Sequence, residues 1–348
     1  MSATRRLTFV VDGPLDQPTG GYIYDRIVIE GLRELGFEVD VMSLRTRGAF
    51  THLEAGARVM SRLSERGRIV VVDELCHPRT LLALAPRLVS RRATLVALVH
   101  HLAASERTGL AARARLALER PLLHAADRLI VTSETTRRAV VAAGAKSDDV
   151  VVVRPGRDRL GGRSTEPRGP LGGPVRFLFV GALTPRKDVL GLLEAYGRVA
   201  DRATLTIAGP ADRDHPYAAA VLRAASSVPG SVRITGTIGD DALAEELGRH
   251  DVLVLPSRHE GFGIVLAEAL AHGLAVVATG VGAIPEVVRD GREAVLVPAG
   301  DTVALGAALV RLVGRPELVA EMQRAALLAA SELPTWADSR RAFAEALS

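Results

Sequence analysis

Short runs of consecutive valine, isoleucine and leucine alternate along this chain with longer stretches in which apolar residues return every three or four positions. In the first half, "LTFVVDG" (7 to 13) has the pattern of a buried strand, "YIYDRIVIEGLRELG" that of an amphipathic helix closed by Gly36, and "FEVDVMSL" that of the next strand. "RIVVVDE" (68 to 74), "ATLVALVHH" (93 to 101), "DRLIVTS" (127 to 133) and "DVVVVRPG" (149 to 156) follow, with helical stretches between them. Apolar runs of this kind, separated by helices, imply a parallel sheet covered on both faces.

From Gly156 to Pro174 the composition changes to "GRDRLGGRSTEPRGPLGGP", rich in Gly, Pro and Arg, and this predicts a linker over 157–174. The alternation then restarts. Strands are expected at 175–181, 203–209, 232–236, 251–257, 274–280 and 294–298, with helices at 187–200, 217–226, 241–250 and 264–272. The predicted fold class is therefore α/β: two doubly wound, Rossmann-like domains, 1–156 and 175–334, facing each other across a cleft. Their ligand crevice is expected at the carboxyl ends of the strands. The closing segment 335–348, which opens on the only tryptophan, Trp336, is expected to pack back on the first domain.

At 348 residues, 48% hydrophobic and 24% charged, the chain suits two ordinary domains. No window approaches 18 uncharged apolar residues, and residues 1 to 13 are too short in apolar length for a signal peptide, so a cytoplasmic protein is expected. The lone cysteine, Cys76, excludes an internal disulfide and reads as filler at a strand end. Charge divides unevenly: residues 1 to 170 carry 27 Lys+Arg against 19 Asp+Glu, the remainder 17 against 21. Arginines at 87, 91, 92, 107, 113, 115, 120, 128, 137 and 138 suit either solvated helix faces or peripheral contact with an anionic membrane. Aromatics amount to 3% and do not interleave with these arginines, which argues against nucleic acid.

The candidate chemistry gathers in "VLVLPSRHEGFGIVLAEALAHG", a strand, a glycine turn and a helix. Unpaired amides at the helix start, around 262 to 264, form an anion site, and the glycines admit a phosphate close to the backbone. Glu260 just outside the helix and Glu268 inside it are suited to accept hydrogen bonds from hydroxyls at the two ends of such a ligand. A capped helix with solvated glutamates is the plainer alternative. In "VGALTPRKDVLGLLEAY", Arg186 and Lys187 stand at the carboxyl end of the first strand of the second domain, where two cations would neutralise a diphosphate.

These residues carry a family resemblance. "EGFGIVLAEALAHGLAVVATGVGAIPEVV" resembles the E-x7-E segment of the retaining GT-B glycosyltransferases of family four, and "GALTPRK" resembles that family's G-R-x-x-x-R-K-G loop, with Ala182 where arginine is common and Asp188 where glycine is common. The resemblance is strong over 175 to 300 and diffuse in the first domain. It implies a metal-independent, retaining glycosyltransferase that takes a sugar from a nucleotide diphosphate sugar, UDP preferred over GDP, to a hydroxyl acceptor, with no cofactor. It also assigns roles. Glu260 would contact the donor sugar and Glu268 the ribose; Phe262, Gly263 and Ile264 would hold the distal phosphate. Gly181 would line the donor site, with Gly236, Thr237 and Ile238 beside the nucleobase. Gly20 and Gly21 would form a glycine loop over the phosphates. His100 or His101, with His100 preferred, would approach the transferred sugar.

Other motifs add less. Asp212 and Asp214 in "ADRDH" have the spacing another glycosyltransferase fold uses for a metal, but here they fall in a polar loop. Asp12, Asp73, Glu74, Tyr22 and Tyr24 are candidate acceptor contacts. Pro285 and Glu286 read as a helix start. Hydrolase and zinc motifs such as GxSxG, CxxC and HExxH do not occur. The remaining alternatives are a membrane-surface enzyme acting on a lipid-linked acceptor and a non-catalytic sugar-nucleotide-binding protein.

Overall fold

The computed structural model describes residues 5–44, 51–76, 92–106, 109–161, 173–211 and 216–348. The chain forms two compact units, Met1–Pro155 with Ala337–Ser348, and Gly156–Trp336.

In the first unit the strands are β1 (Arg6–Val11), β2 (Glu38–Ser43), β3 (Ile69–Asp73), β4 (Thr94–Val99), β5 (Arg128–Val131) and β6 (Val150–Val152). All pair in parallel, in the order β2-β1-β3-β4-β5-β6, with Phe9 level with Val41 on one side and Val71 on the other. Val70, Val71, Val72 and the run Leu95 to Val99 have no exposed surface, as the continuous apolar runs require of strands covered on both faces. The helices are α1 (Gly20–Glu34), α2 (Thr51–Leu63), α3 (Gly109–Ala125) and α4 (Glu134–Ala142). α1 buries Tyr24, Val28 and Leu32, a stripe at i, i+4, i+8, and the Ser133 side chain caps α4 by accepting from the Thr136 N–H at 3.0 Å.

The second unit repeats the plan with β7 (Val175–Val180), α5 (Val189–Tyr196), β8 (Ala203–Ala208), α6 (Pro216–Ser227), β9 (Ser231–Gly236), α7 (Asp240–Arg249), β10 (Val252–Leu255), α8 (Ile264–Ala271), β11 (Ala275–Thr279), α9 (Ile284–Val287), β12 (Ala294–Val297), α10 (Thr302–Val313) and α11 (Pro316–Glu332). Its parallel order is β12-β11-β10-β7-β8-β9. The helix expected from 187 starts at Val189 instead, because Asp188 adopts φ 50°, ψ 43° and ends a single 3₁₀ turn over Pro185–Lys187. Among the described residues Asp188 is the one non-glycine with positive φ. A left-handed backbone there gives a physical reason for glycine at that place in related loops.

The chain returns to the first unit through α12 (Trp336–Ala346). Phe343 on that helix is fully buried against Phe9 and Tyr24, with ring centroids 6.4 and 6.3 Å away, and Arg340 donates to Glu34 at 2.9 Å. Trp336 itself stays with the second unit. Its N–H donates to the Asp158 carboxylate at 2.7 Å, while Arg157 donates through its N–H to the Pro334 carbonyl. Residues 162–172 of the expected linker lie outside the described residues.

Phe343→Ala removes a ring with no exposed surface from the core of the first unit and is expected to destabilise that unit by about 3–5 kcal/mol in urea denaturation. A loss under about 1 kcal/mol would mean that α12 contributes little to that core.

Candidate functional site

In the second unit β7 and β10 are neighbours, and the chain winds away from them in opposite directions: β8 and β9 on one side, β11 and β12 on the other. The loops that leave their carboxyl ends therefore part and leave room for a ligand at this switch point. The loop after β7 brings Arg186 and Lys187; the loop after β10 brings Ser257 and Glu260. The buried Lys187 ammonium donates to Glu260 Oε2 at 2.5 Å, and the Ser257 hydroxyl donates to the same oxygen at 3.2 Å. Arg186 Nη1 lies 3.6 Å from Glu260 Oε1 and donates to the His259 carbonyl at 2.9 Å, while the Arg258 N–H donates to the Arg186 carbonyl at 2.7 Å. Burial alone would raise the Glu260 pKa, but the Lys187 and Arg186 charges, with the bonds from Lys187 and Ser257, hold it at about 2. The same burial, with Arg186 adding to it, moves the Lys187 ammonium below its ordinary value against the pull of Glu260.

Two glycines make this corner possible. Gly263, the N-cap of α8, has φ 83°. Gly282 has φ 56°, and a Cβ placed there would sit 2.0 Å from the Glu260 carbonyl oxygen, which also accepts from the Ala283 N–H at 3.1 Å. The backbone of Glu260 is thus fixed from beneath, and Phe262, Gly263 and Ile264 follow it into the first turn of α8, where helix amides lack intrahelical partners.

Glu268, four residues further along α8 than Ile264, is 2% exposed, and its Oε1 accepts from Arg159 Nε at 2.7 Å. Arg159 also pairs through Nη1 with Asp240, the first residue of α7. Burial raises the Glu268 pKa, with Arg159 opposing. Gly236 ends β9 at φ 69°, and the exposed Thr237 and half-buried Ile238 lead from it to α7. Gly181 follows β7, and its carbonyl packs so close to Gly209 that a Cβ there would lie 2.1 Å away.

In the first unit the strand order reverses at β1 and β3, and their carboxyl ends carry Asp12, Asp73 and Glu74, with His100 following β4. His100 is restrained on every side. Its Nε2 lies 3.1 Å from Asp25 Oδ1 and 3.6 Å from Asp73 Oδ2, its N–H donates to Glu74 at 2.7 Å, and its carbonyl accepts from Thr132 and Thr136. The Tyr24 ring meets it edge-on at 5.3 Å. Burial disfavours the imidazolium, but Glu74 and the ring's hydrogen bonds to the Asp25 and Asp73 carboxylates outweigh it and raise the His100 pKa well above its ordinary value. His101 lies nearby, 2.9 Å from Glu106. Among the described residues Asp25, Asp73 and His100 are also the one trio whose ligand atoms, within 4.8 Å of one another, could hold a metal ion.

Gly20 and Gly21 do not form the expected loop: they open α1. A Cβ on Gly21 would lie 3.3 Å from the His100 ring, so the missing side chain makes room for the imidazole. Tyr24 is core, with its hydroxyl donating to the Val153 carbonyl at 3.0 Å, and Tyr22 is buried and donates to the Asp12 carbonyl. Cys76 is buried, which pushes its thiol pKa up. Asp212 and Asp214 lie outside the described residues, as do Arg87, Arg91 and Arg107. Several of the other arginines are engaged locally: Arg120 donates to the Ala143 carbonyl, and Arg128 to the Ser348 carbonyl at 2.9 Å. No described helix is long and apolar enough to cross a membrane. The second unit thus brings together Arg186, Lys187 and Glu260 and adds Ser257, Gly282 and Arg159, and the first unit sets Asp25 against His100; the sequence did not single out Arg159, Ser257, Gly282 or Asp25.

Two parallel six-stranded sheets flanked by helices, each with its polar groups at a switch point, define the GT-B class of glycosyltransferase fold. Residues 174–315 match the family model Glycosyl transferases group 1, and residues 26–159 match Glycosyltransferase Family 4; the chain belongs to this family of glycosyltransferases. It is 34% identical over 250 residues to D-inositol 3-phosphate glycosyltransferase of Streptomyces scabiei, covering 67% of this chain and 56% of that protein. It is 36% identical over 228 residues to alpha-maltose-1-phosphate synthase of Mycolicibacterium smegmatis, covering 60% and 58%. The chain thus spans about half the length of the curated relatives it matches. Among solved structures, sucrose-phosphate synthase from Thermosynechococcus elongatus superposes with a TM-score of 0.82 at 19% identity, covering 98% of both chains. HepE of Anabaena in complex with UDP-glucose does so at 0.75 and 18%, again covering 98% of both.

The low Glu260 pKa carries a stability consequence. Its folded value of about 2 lies below the ordinary 4.5, so its contribution is complete above pH 4.5 and is lost as the pH falls towards 2. The difference amounts to about 3 kcal/mol. Glu260→Gln should therefore lose less stability than the wild type between pH 5 and pH 2.5 in urea titrations. Parallel losses in the two proteins would contradict the pairing.

Proposed function

We propose that the protein is a retaining, metal-independent glycosyltransferase that moves a sugar from a nucleotide diphosphate sugar to a hydroxyl acceptor. The observation that carries this reading is the buried Lys187–Glu260 pair, with Arg186 beside it, at the start of α8. Glu260 Oε2 is committed to Lys187 and Ser257, which leaves Oε1 to accept from a hydroxyl of the donor sugar. Arg186, Lys187 and the amides of Phe262, Gly263 and Ile264 face the developing charge of the diphosphate as the glycosidic bond breaks. The electron pair of that bond leaves with the diphosphate. The acceptor oxygen bonds to the anomeric carbon from the same face, and its proton passes to the departing phosphate oxygen, so the products are a glycoside of unchanged configuration and a nucleoside diphosphate. No protein carboxylate is required as general base, which agrees with a Glu260 carboxylate whose pKa of about 2 makes it a weak proton acceptor.

In the first unit, His100 is the residue that meets the transferred sugar, its Nε2 edge committed to Asp25 and Asp73. Glu268 takes the ribose hydroxyls and residues 236–238 lie beside the base, with UDP-sugars the first donors to try. The trio of Asp25, Asp73 and His100 acts as a hydrogen-bonded clamp on the imidazole rather than as a metal site.

Lys187→Ala removes a preorganised charge and should lower kcat by roughly 10²–10³. The assay is donor turnover, with and without acceptor, against a panel of UDP-, GDP- and ADP-sugars. Wild-type turnover in a folded Lys187→Ala variant would overturn the assignment.

A further inference from the structure

Arg159 follows the point at which the chain enters the second unit, and its place there is fixed by its neighbours. A Cβ on Gly156 would lie 2.2 Å from the Trp336 nitrogen, Arg157 donates to the Pro334 carbonyl, and Asp158 accepts from the Trp336 N–H. From this anchored segment the Arg159 side chain, 7% exposed, reaches two acids that belong to different elements. Its Nε donates to Glu268 on α8, and its Nη1 pairs with Asp240 at the first residue of α7. The residues just before Asp240 are Thr237, Ile238 and Gly239.

If α8 carries the acid for the ribose and 236–238 border the base, one guanidinium ties together the two walls of the nucleoside subsite. We infer that Arg159 is a positioning residue for the ribose of a nucleoside diphosphate: it holds the Glu268 carboxylate with one oxygen committed and the other turned to the ribose hydroxyls, and it fixes the spacing between α8 and the loop that precedes α7. The inference rests on the donor reading above and deepens it. Planar guanidinium geometry suits this role, because the two bonds leave from different nitrogens of one rigid fork. A lysine, with a single point charge, reaches one acid at a time. Burial pushes Glu268 towards its neutral form and Arg159 opposes that, so loss of the guanidinium exposes the subsite to protonation as the pH falls.

The test is binding of UDP, GDP and ADP and their 2′-deoxy counterparts, measured by calorimetry from pH 6 to 8.5 on the wild type and on Arg159→Ala, Arg159→Lys, Asp240→Ala and Glu268→Gln. The wild type should prefer its best ribonucleotide over the deoxy form by about tenfold, consistent with one lost hydrogen bond to a charged group. Arg159→Ala should weaken binding about 10- to 30-fold, lose most of the ribose preference and bind more weakly still as the pH falls. Arg159→Lys should recover the wild type's pH profile but not the full affinity. Asp240 is exposed, so Asp240→Ala tests the bridge without disturbing the core and should weaken binding about two- to fivefold. If Glu268→Gln weakens binding while Arg159→Ala binds as the wild type does, Arg159 is structural only and the inference falls alone. If Glu268→Gln binds normally, or no nucleoside diphosphate binds the wild type, the donor reading falls and takes the inference with it.

Discussion

The second unit is organised around one buried ion pair. Lys187 and Glu260 are both withdrawn from water, and a pair in that position is poor value as a stabilising device: two ions lose their hydration, and well-packed apolar residues of similar volume would serve stability as well. Once the pair is present, much of its surroundings follows. Ser257 supplies a further hydrogen bond to the carboxylate, Gly282 lets the backbone of Glu260 settle, Arg186 bridges to the loop after β10, and the left-handed Asp188 ends the turn that delivers the two cations before α5 begins. Asp188 is in turn paired with Arg258 at 3.0 Å, so the loop after β10 helps to secure a backbone conformation that glycine would adopt at less cost.

The sheets explain why the polar groups meet where they do. In a parallel sheet every strand ends on the same edge, and helices occupy both faces, so loops at a switch point are the places where side chains can converge on a ligand without disturbing the core. Both units use that position. The second unit places a cation pair, an acid and the start of α8 there. The first places a histidine whose ring, amide and carbonyl are all restrained. Membership of the glycosyltransferase family agrees with two parallel sheets that each carry polar groups at this edge.

Much of this was legible in the sequence, and what was not has definite causes. Strands such as "RIVVVDE" and "DVLVLPS" announce themselves because burial on both faces leaves no room for polar alternation, so the α/β class followed from pattern alone. The glycine turn before α8 was visible for the same local reason. The bond between Lys187 and Glu260 was not, since 73 residues separate them and only β7 and β10 becoming neighbours brings them together. Arg159 sat in a stretch whose Gly, Pro and Arg content signals a linker, and composition cannot tell a solvated arginine from one reaching an acid 109 residues away. Asp25 was hidden within an amphipathic pattern: a polar residue among Tyr24, Ile27 and Val28 passes for a surface position until His100 is found against it. The Gly20–Gly21 pair suggested a loop by its composition, whereas both residues open α1 and a Cβ on Gly21 would press on the His100 ring at 3.3 Å.

The most direct test of the account is a crystal structure of the protein with a nucleoside diphosphate or an intact nucleotide sugar. The diphosphate is expected at the start of α8, its distal phosphate within hydrogen-bonding distance of Arg186, Lys187 and the amides of residues 262–264, with the ribose against Glu268. A diphosphate bound elsewhere on the chain, with Lys187 and Glu260 still sealed against each other and no ligand atom near them, would contradict it.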